Sequence, residues 1–309
     1  MYIVAALYHF TRFEDPDRLR PGLMEVCTTQ GVKGTLLIAG EGVNGTIAGT
    51  RDGIDQVLEA VRALPGCNRL EHKESTATEM PFNRMKVRLK REIVTMGQPD
   101  VDPTSKTGHY VEPEDWNELI ADPDVVVIDT RNDYEVAIGT FDGAIDPRTK
   151  SFGEFPAWWQ NHKAQFQGKR IAMFCTGGIR CEKSTNYLLG EGVEDVFHLK
   201  GGILKYLERV PEDQSRWDGE CFVFDGRVSV GHGLVEGTHR LCYACRRPLA
   251  PEDLKRPQYE PGVACHHCIG EFNDADRKRF RDRQVQIRLS KARGTVHLGD
   301  AAHSVVKEN

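Results

Sequence analysis

The segment Ile171-Ala-Met-Phe-Cys175-Thr-Gly-Gly-Ile-Arg180 joins a run of apolar residues to a glycine-containing loop that ends in an arginine. The apolar run predicts a strand buried on both faces, and residues 181–190 predict a helix that follows the loop. Similar apolar runs occur at residues 125–128 and 196–199, with helical patterns between the three runs. Buried strands that alternate with helices indicate a doubly wound, parallel α/β sheet. Functional loops of such sheets lie at the carboxyl ends of the strands, where Cys175 is placed.

The loop itself has the features of a reactive cysteine site. Backbone N–H groups around Gly177 and Gly178 and the start of the helix stabilise an anion, so we expect the Cys175 thiol to have a lowered pKa. Arg180 adds a positive charge that is predicted to bind an oxyanion or phosphate. The alternative is a small apolar cysteine buried at a strand end. Cys181 is predicted either to resolve an oxidised or persulfidated Cys175 or to turn into the core.

The first 97 residues show a different alternation of elements. Strand-like and helical stretches follow one another at residues 3–7, 23–29, 35–39, 43–48, 53–64, 69–73 and 85–94. This βαββαβ-like order predicts a ferredoxin-like α+β domain. Residues 96–112 are rich in proline, glycine and polar side chains and predict a linker.

Within this domain, Gly40-Glu-Gly-Val-Asn-Gly45 matches the dinucleotide-binding fingerprint. In that fingerprint the glycine loop opens a helix that receives the pyrophosphate, whereas residues 46–48 here continue as a strand. We therefore expect a turn at Asn44-Gly45 and no nucleotide site.

Residues 84–90 alternate basic and apolar side chains. A strand has a side-chain period of two, so one face is predicted to carry four positive charges, from Arg84, Lys86, Arg88 and Lys90. These residues are predicted to follow the phosphates of a bound polyanion, which would relieve their mutual repulsion. The alternative is a solvated outer face of an amphipathic strand.

Nine cysteines are present, and four of them form the pairs Cys242-x-x-Cys245 and Cys265-x-x-Cys268, separated by 19 residues. Two such pairs can complete a tetrahedral site, so Cys242, Cys245, Cys265 and Cys268 are predicted ligands of a structural zinc ion. The alternatives are reduced or disulfide-linked pairs. His266 and His267 are expected to be neighbours of the site and not ligands.

The composition is that of an ordinary globular protein, with 39% hydrophobic and 28% charged residues. The sequence contains no apolar run of membrane-spanning length and no signal-peptide pattern at its start, so we expect a cytoplasmic protein with no membrane partner. The net charge is −5, but residues 240–309 carry 14 lysines and arginines against nine acidic residues. Because a basic face binds phosphate locally, the total charge does not exclude a nucleic acid partner.

Residues 113–209 resemble a rhodanese domain. The resemblance rests on Asp129-Thr-Arg131 with Glu135, Gly143-Ala-Ile145, the 175–180 loop and Lys200-Gly-Gly202. Gly139-Thr-Phe141 departs from the Gly-His-Ile that this family usually carries. The six-residue loop has the length of the sulfur-handling branch, and the buried charges of Asp129, Arg131 and Glu135 are interpreted as scaffolding. The expected organisation is a ferredoxin-like domain (1–97), a rhodanese-like domain (98–215) and a small Cys-rich segment (216–309). This segment is expected to contain a hairpin that turns at Asp225-Gly226, the two Cys-x-x-Cys pairs and a basic tail.

The whole chain is similar to the rhodanese-domain proteins that act as oxygen-dependent tRNA uridine hydroxylases. The matching segments are Gly40-Glu-Gly-Val-Asn-Gly45, the stretch from Met80-Pro-Phe82 to Glu92-Ile-Val-Thr95, residues 175–184, and Cys221-Phe-Val-Phe-Asp225. The resemblance implies 5-hydroxylation of the wobble uridine, tRNA as partner, molecular oxygen as a substrate and Cys175 as the essential residue.

The sequence shows no flavin or nicotinamide motif and no evident iron site of two histidines and a carboxylate. A route through a Cys175 persulfide or sulfenate is therefore a hypothesis from the loop alone. Two other classes remain open: a rhodanese-type sulfurtransferase that passes persulfide sulfur to an acceptor, and a non-catalytic RNA-binding module.

Overall fold

A computed structural model describes residues 1–294, and the end of the predicted Cys-rich segment, 295–309, lies outside the described residues. The amino-terminal part is a five-stranded sheet with two helices packed against one face. Its elements are β1 (Tyr2–Phe10), α1 (Pro16–Thr29), β2 (Lys33–Ala39), β3 (Gly42–Gly49), α2 (Arg51–Arg62), β4 (His72–Ala77) and β5 (Met85–Leu89). The order β4-β1-β3-β2 confirms the ferredoxin-like prediction. Strand β5 extends the sheet, parallel to β2 at the edge.

The core of this part follows from the amphipathic pattern of α2. Ile54, Val57 and Val61 are fully buried against the sheet, and the Thr50 side chain accepts a hydrogen bond from the Gly53 N–H group at 3.2 Å. Spacing of three and four residues brings these apolar side chains onto one helix face. The opposite face of the sheet is left to contact the rest of the molecule.

The predicted turn at Asn44-Gly45 is wrong. Both residues lie inside β3, and the chain reverses at Gly40 and Glu41 instead. Strand β3 is hydrogen-bonded to β1 on one side and β2 on the other, so the ladder holds Asn44 extended against its turn preference. A side chain at Gly45 would place its Cβ 2.2 Å from the Thr35 carbonyl oxygen, which explains the glycine.

The second part is built around a four-stranded, fully parallel sheet in the order β6-β10-β9-β7, and it confirms the doubly wound prediction. Its elements are β6 (His109–Val111), α3 (Pro113–Ala121), β7 (Val125–Asp129), α4 (Asp133–Val136), β8 (Gly139–Phe141), α5 (Phe155–His162), β9 (Arg170–Phe174), α6 (Ile179–Gly190), β10 (Val196–Leu199) and α7 (Gly202–Arg209). Helices α3 and α7 cover one face of the sheet, and α5 and α6 cover the other.

The remaining described chain consists of short strands and one long helix: β11 (Trp217–Gly219), β12 (Cys221–Phe222), β13 (Ser229–Val230), β14 (Arg240–Leu241), β15 (Pro248–Leu249) and α8 (Asp274–Ala292). Strands β12 and β13 form the hairpin that the sequence indicated. None of the helices within residues 1–294 combines the length and apolar character needed to cross a bilayer.

A buried lysine fixes the amino-terminal sheet against the parallel-sheet part. Lys183, on α6, has only 1% of its surface exposed, and its Nζ lies 2.8 Å from Glu41 and 2.7 Å from Glu92 of the amino-terminal part. Buried charges of this kind need their partners, so the pairing fixes how the two parts meet. The cysteine loop begins the same helix and lies at that junction.

Candidate active site

The cysteine loop has the predicted strand–loop–helix geometry. Strand β9 ends at Phe174 and α6 begins at Ile179, with Cys175 between them. Gly178 precedes the helix with a φ of 103°, a conformation that favours glycine. Its backbone N–H group donates a hydrogen bond to the Cys175 Sγ at 3.1 Å. The loop therefore directs a helix N-terminus and a donor at the sulfur.

The surroundings of Cys175 favour its thiolate form. Complete burial raises the pKa, but the hydrogen bond from the Cys181 side chain, the Arg180 charge and the backbone N–H groups of Cys181 and Gly178 together outweigh it and lower the pKa of Cys175 to about 5. Burial and the neighbouring Cys175 sulfur raise the pKa of Cys181 well above its usual value. Of the two thiols, Cys175 is therefore the one that ionises more readily, with the Cys181 thiol as its hydrogen-bond donor. The resolving role of Cys181 stays a prediction.

Arg180 is held by a buried carboxylate. Its two terminal nitrogens donate to Glu135 at 2.7 and 2.8 Å, and one of them also donates to the Thr176 hydroxyl at 3.1 Å. Burial raises the pKa of Glu135, but the charge and hydrogen bonds of Arg180, together with the Arg131 charge and the Asn132 N–H group, outweigh it and leave this pKa below its usual value. Arg180 therefore acts on Cys175 through its charge, and its predicted binding of an oxyanion or phosphate stays a prediction.

A second buried ion pair lies at the end of β7, next to Phe174, the residue that precedes Cys175. The Arg131 guanidinium donates to Asp129 at 2.9 and 2.6 Å and to the Gly139 carbonyl at 2.5 Å, and both charged side chains are fully buried. The buried charges of Asp129, Arg131 and Glu135 are thus paired, as their interpretation as scaffolding requires, and that role stays a prediction.

Two residues of the amino-terminal sheet contact the loop and were missed by the sequence reasoning. The Lys73 Nζ donates to the Gly177 carbonyl at 2.9 Å, and the Tyr8 hydroxyl donates to Glu182 at 2.8 Å. Burial lowers the pKa of Lys73 to about 8, although nearby negative charges, including Cys175, oppose the shift. No local motif marks either residue, because each partner lies more than a hundred positions away along the chain.

A cavity of about 560 Å³ separates the free face of the amino-terminal sheet from the loop. Tyr8, Lys73, Gly177 and Arg180 are among its lining residues. Cys175 is fully buried, so a molecule in the cavity meets the loop residues next to it before the sulfur. The volume is within the range of small-molecule and single-nucleotide sites.

Comparison with known proteins identifies the family. Residues 2–93 match the UPF0176 acylphosphatase like domain, and residues 112–209 match the Rhodanese-like domain. A tRNA uridine(34) hydroxylase of Ruegeria pomeroyi is 70% identical over 298 residues, which cover 96% of this chain and 99% of that protein. Its counterpart from Roseobacter denitrificans is 68% identical over 293 residues, covering 95% and 99%. This chain belongs to the tRNA uridine(34) hydroxylase family.

Membership of the tRNA uridine(34) hydroxylase family confirms the resemblance based on the sequence motifs. The relatives match nearly the whole chain and not only its rhodanese-like part, which favours an enzyme of this family over a plain sulfurtransferase or a non-catalytic RNA-binding module. Among solved structures, a rhodanese-related protein of Thermoplasma volcanium is 20% identical, with a TM-score of 0.28 over 33% of this chain and 93% of that chain.

In this member of the tRNA uridine(34) hydroxylase family, β5 and its flanks form what we call the basic strand: Arg84, Lys86, Arg88 and Lys90. Met85 and Val87 point into the core with α1, so the alternating basic side chains lie on the sheet face away from the helices. Lys90 lines the cavity, and Arg84 and Lys86 line a neighbouring groove.

The two Cys-x-x-Cys pairs come together in this tRNA uridine(34) hydroxylase family member. All four Sγ atoms lie within 4.8 Å of one another. The Sγ atom of Cys265 is 3.7 Å from that of Cys245 and 3.6 Å from that of Cys268. These distances are too long for a disulfide bond, and all nine cysteines are free thiols. Zinc with Zn–S bonds of about 2.3 Å gives sulfur–sulfur distances of about 3.8 Å, which the cluster fits. His266 and His267 group with Asp253 instead.

Proposed function

We propose that this protein hydroxylates uridine 34 of tRNA at carbon 5, using molecular oxygen, with Cys175 as the essential reactive residue. The observation that carries this proposal is the position of Cys175, which accepts a hydrogen bond from the helix N-terminus directly behind a nucleotide-sized cavity, in a chain that matches the hydroxylase relatives over almost its full length. The thiolate is the nucleophilic and oxidisable form of cysteine, so it supplies the sulfur chemistry at this site.

The amino-terminal sheet supplies the second wall of the proposed reaction site. Lys73 can donate hydrogen bonds to a base in the cavity while it holds the Gly177 carbonyl, and its pKa of about 8 leaves it able to exchange a proton near neutral pH. Tyr8, paired with Glu182, borders the same cavity. A uridine bound here is enclosed by residues from both domains.

The proposal is tested by nucleoside mass spectrometry of tRNA from cells that lack the protein. We expect 5-hydroxyuridine and its derivatives to disappear from position 34 and to return when the wild-type chain is supplied. Unchanged hydroxyuridine in the deletion strain would refute the proposal. Thiosulfate-dependent persulfide formation without any RNA product would favour the sulfurtransferase alternative.

The Cys-rich segment is proposed to hold one structural zinc ion through Cys242, Cys245, Cys265 and Cys268. Four thiolates at these distances match the donor set of closed structural sites. The ion would join the segment after β14 to the loop that carries Cys265 and Cys268, in a unit that has few buried apolar residues of its own.

Protein purified under reducing conditions is expected to carry about one zinc per chain, because closed four-thiolate sites bind zinc tightly. Replacing all four cysteines by serine should remove the metal and make residues 240–294 sensitive to proteolysis, as measured by elemental analysis and limited digestion. Alanine at Cys27 and Cys67, both buried in the amino-terminal core, is the control and should leave the zinc content unchanged. If the purified wild-type protein contains no zinc, the four thiols are assigned to redox chemistry instead.

The basic strand is proposed to hold tRNA phosphates. Each phosphate contact releases counterions, so the Lys86→Gln/Arg88→Gln double variant should bind tRNA more weakly and lower the slope of log affinity against log salt by roughly 1.4 to 1.8. Filter-binding titrations at several salt concentrations measure both quantities. The matched control is Lys169→Gln/Arg209→Gln, which removes two surface charges of the rhodanese-like part. Parallel salt plots with equal affinity would show that the basic strand is only a solvated face.

A further inference from the structure

A second concave surface lies next to the cavity and is not used by the proposed chemistry. It has a volume of about 1080 Å³ and runs between the basic strand, the tip of the β12–β13 hairpin and the first Cys-x-x-Cys pair. We call it the junction groove. The residues that matter for its chemistry are Arg84, Lys86, Phe224, Tyr243 and Arg246.

Positive charge converges in the junction groove from separate parts of the chain. Arg246 of the Cys-rich segment lines the same groove as Arg84 and Lys86 of the basic strand. Partial burial and the charges of Arg84, Arg88 and Arg246 lower the pKa of Lys86 accordingly. The mutual repulsion of these cations is relieved by a bound polyanion.

The acidic residues of the groove do not cancel this charge completely. Asp225 is held by Arg227 at 2.6 Å, and Glu236 lies 3.8 Å from Arg240, so each of these two carboxylates has its own cation. Glu79 also lines the groove. The charge balance of the lining residues therefore stays positive and fits a chain of phosphates.

Two aromatic rings stand in the same groove with much of their surface open. Phe224 is 58% exposed and Tyr243 is 53% exposed. The Phe222 ring packs edge-on against Phe224 with a centroid distance of 5.1 Å, and the Arg246 guanidinium lies 5.4 Å from the Tyr243 ring centroid. Open rings among cations are the combination that binds single-stranded nucleic acid, because unpaired bases stack on the rings while phosphates meet the charges.

The hairpin tip that carries Phe224 is firmly anchored. Arg227 pairs with Asp225 and donates to the Ser75 hydroxyl at 2.6 Å, while the Gly226 N–H group donates to the Pro81 carbonyl at 3.0 Å. The tip is thus tied to the amino-terminal sheet, and Phe224 is held in place before any ligand arrives. Phe224 also lines the cavity beside the cysteine loop, so it stands between the two spaces.

We propose that the junction groove binds single-stranded RNA, with Phe224 and Tyr243 stacking on the unpaired bases next to the uridine that enters the cavity. Arg246 and the basic strand hold the phosphates of those nucleotides. The inference rests on the proposed tRNA substrate and adds the site for the nucleotides that flank position 34. Double-stranded RNA fits less well, because its bases already stack on one another.

The test measures binding of an unmodified anticodon stem-loop RNA to the full chain by fluorescence anisotropy. Phe224→Leu and Tyr243→Leu keep apolar bulk but remove the ring, and each should weaken binding about 5- to 100-fold with an unchanged salt slope. Phe224→Tyr and Tyr243→Phe keep the ring and should bind like wild type. Arg246→Gln should lower the salt slope by about 0.7, whereas Arg256→Gln, on the same segment but outside the groove, should not.

A blunt-ended RNA duplex of equal length is the second probe, and neither leucine variant should change its affinity. The stacking site would be overturned if the leucine variants bind the stem-loop as tightly as wild type, or if their affinity for the duplex falls by the same factor. Hydroxylation of tRNA by the wild-type protein would still leave the proposed function intact. Wild-type protein that neither binds the stem-loop nor modifies tRNA would overturn both.

Discussion

Cells whose only copy carries Cys175→Ser are expected to contain no detectable 5-hydroxyuridine at position 34. The serine hydroxyl has a far higher pKa than a thiol, and it can neither act as a sulfur nucleophile nor carry a persulfide. The fold and tRNA affinity should be retained, because the replacement is nearly isosteric and the sulfur lies behind the residues that line the cavity. Nucleoside mass spectrometry and tRNA binding by the purified variant measure the two expectations.

Cys67→Ala is the matched control for loss of a buried thiol. Cys67 lies in the amino-terminal core, where burial raises its pKa to about 11, so it stays protonated and unreactive at neutral pH. Cells with this variant should keep normal modification. Normal 5-hydroxyuridine in cells with Cys175→Ser would contradict the central proposal. If the Cys175→Ser variant loses both tRNA binding and the hydroxyuridine product, Cys175 has a structural role instead.

Glu135→Ala is expected to lower the free energy of unfolding by about 3–5 kcal/mol, the cost typical of breaking a buried ion pair. The Glu135 carboxylate is fully buried and accepts hydrogen bonds from Arg180 at 2.7 and 2.8 Å and from Thr176 at 3.2 Å. Alanine leaves the Arg180 guanidinium charged and only 7% exposed, without its carboxylate. Urea unfolding of the purified variant measures the loss.

Glu114→Ala provides the comparison, because Glu114 pairs with Arg209 at 3.4 Å on the surface, where such pairs contribute less than about 1 kcal/mol. Equal stability of the two variants would contradict the structural role of Glu135. The difference should also depend on pH. The Glu135 pKa is lowered in the folded protein, so its contribution is complete above the unfolded-state value of about 4.3 and is lost as pH falls through the folded-state pKa. Variant and wild type should therefore converge in acid.

Elements with strong local patterns were predictable. The apolar strands of the parallel sheet, the glycine loop at Cys175 and the helix after it are set by periodicity and loop chemistry within about ten residues. The basic strand follows from a period of two over seven residues. The prediction of a turn at Asn44-Gly45 was wrong because it used only the local turn preference. Pairing of β3 with strands on both sides outweighed that preference.

Sequence alone determined the strand–loop–helix geometry at Cys175, the grouping of the four cysteines by their spacing and the face that carries the basic side chains. Tertiary structure alone decided the partners: Glu135 for Arg180, Gly177 for Lys73 and Glu182 for Tyr8, which lie 45, 104 and 174 positions apart. It also brought Phe224 and Tyr243 to the basic strand. The physical reason is that local patterns reflect contacts between near neighbours in the chain, whereas these atoms meet only through the register of the strands and the packing of one domain against another.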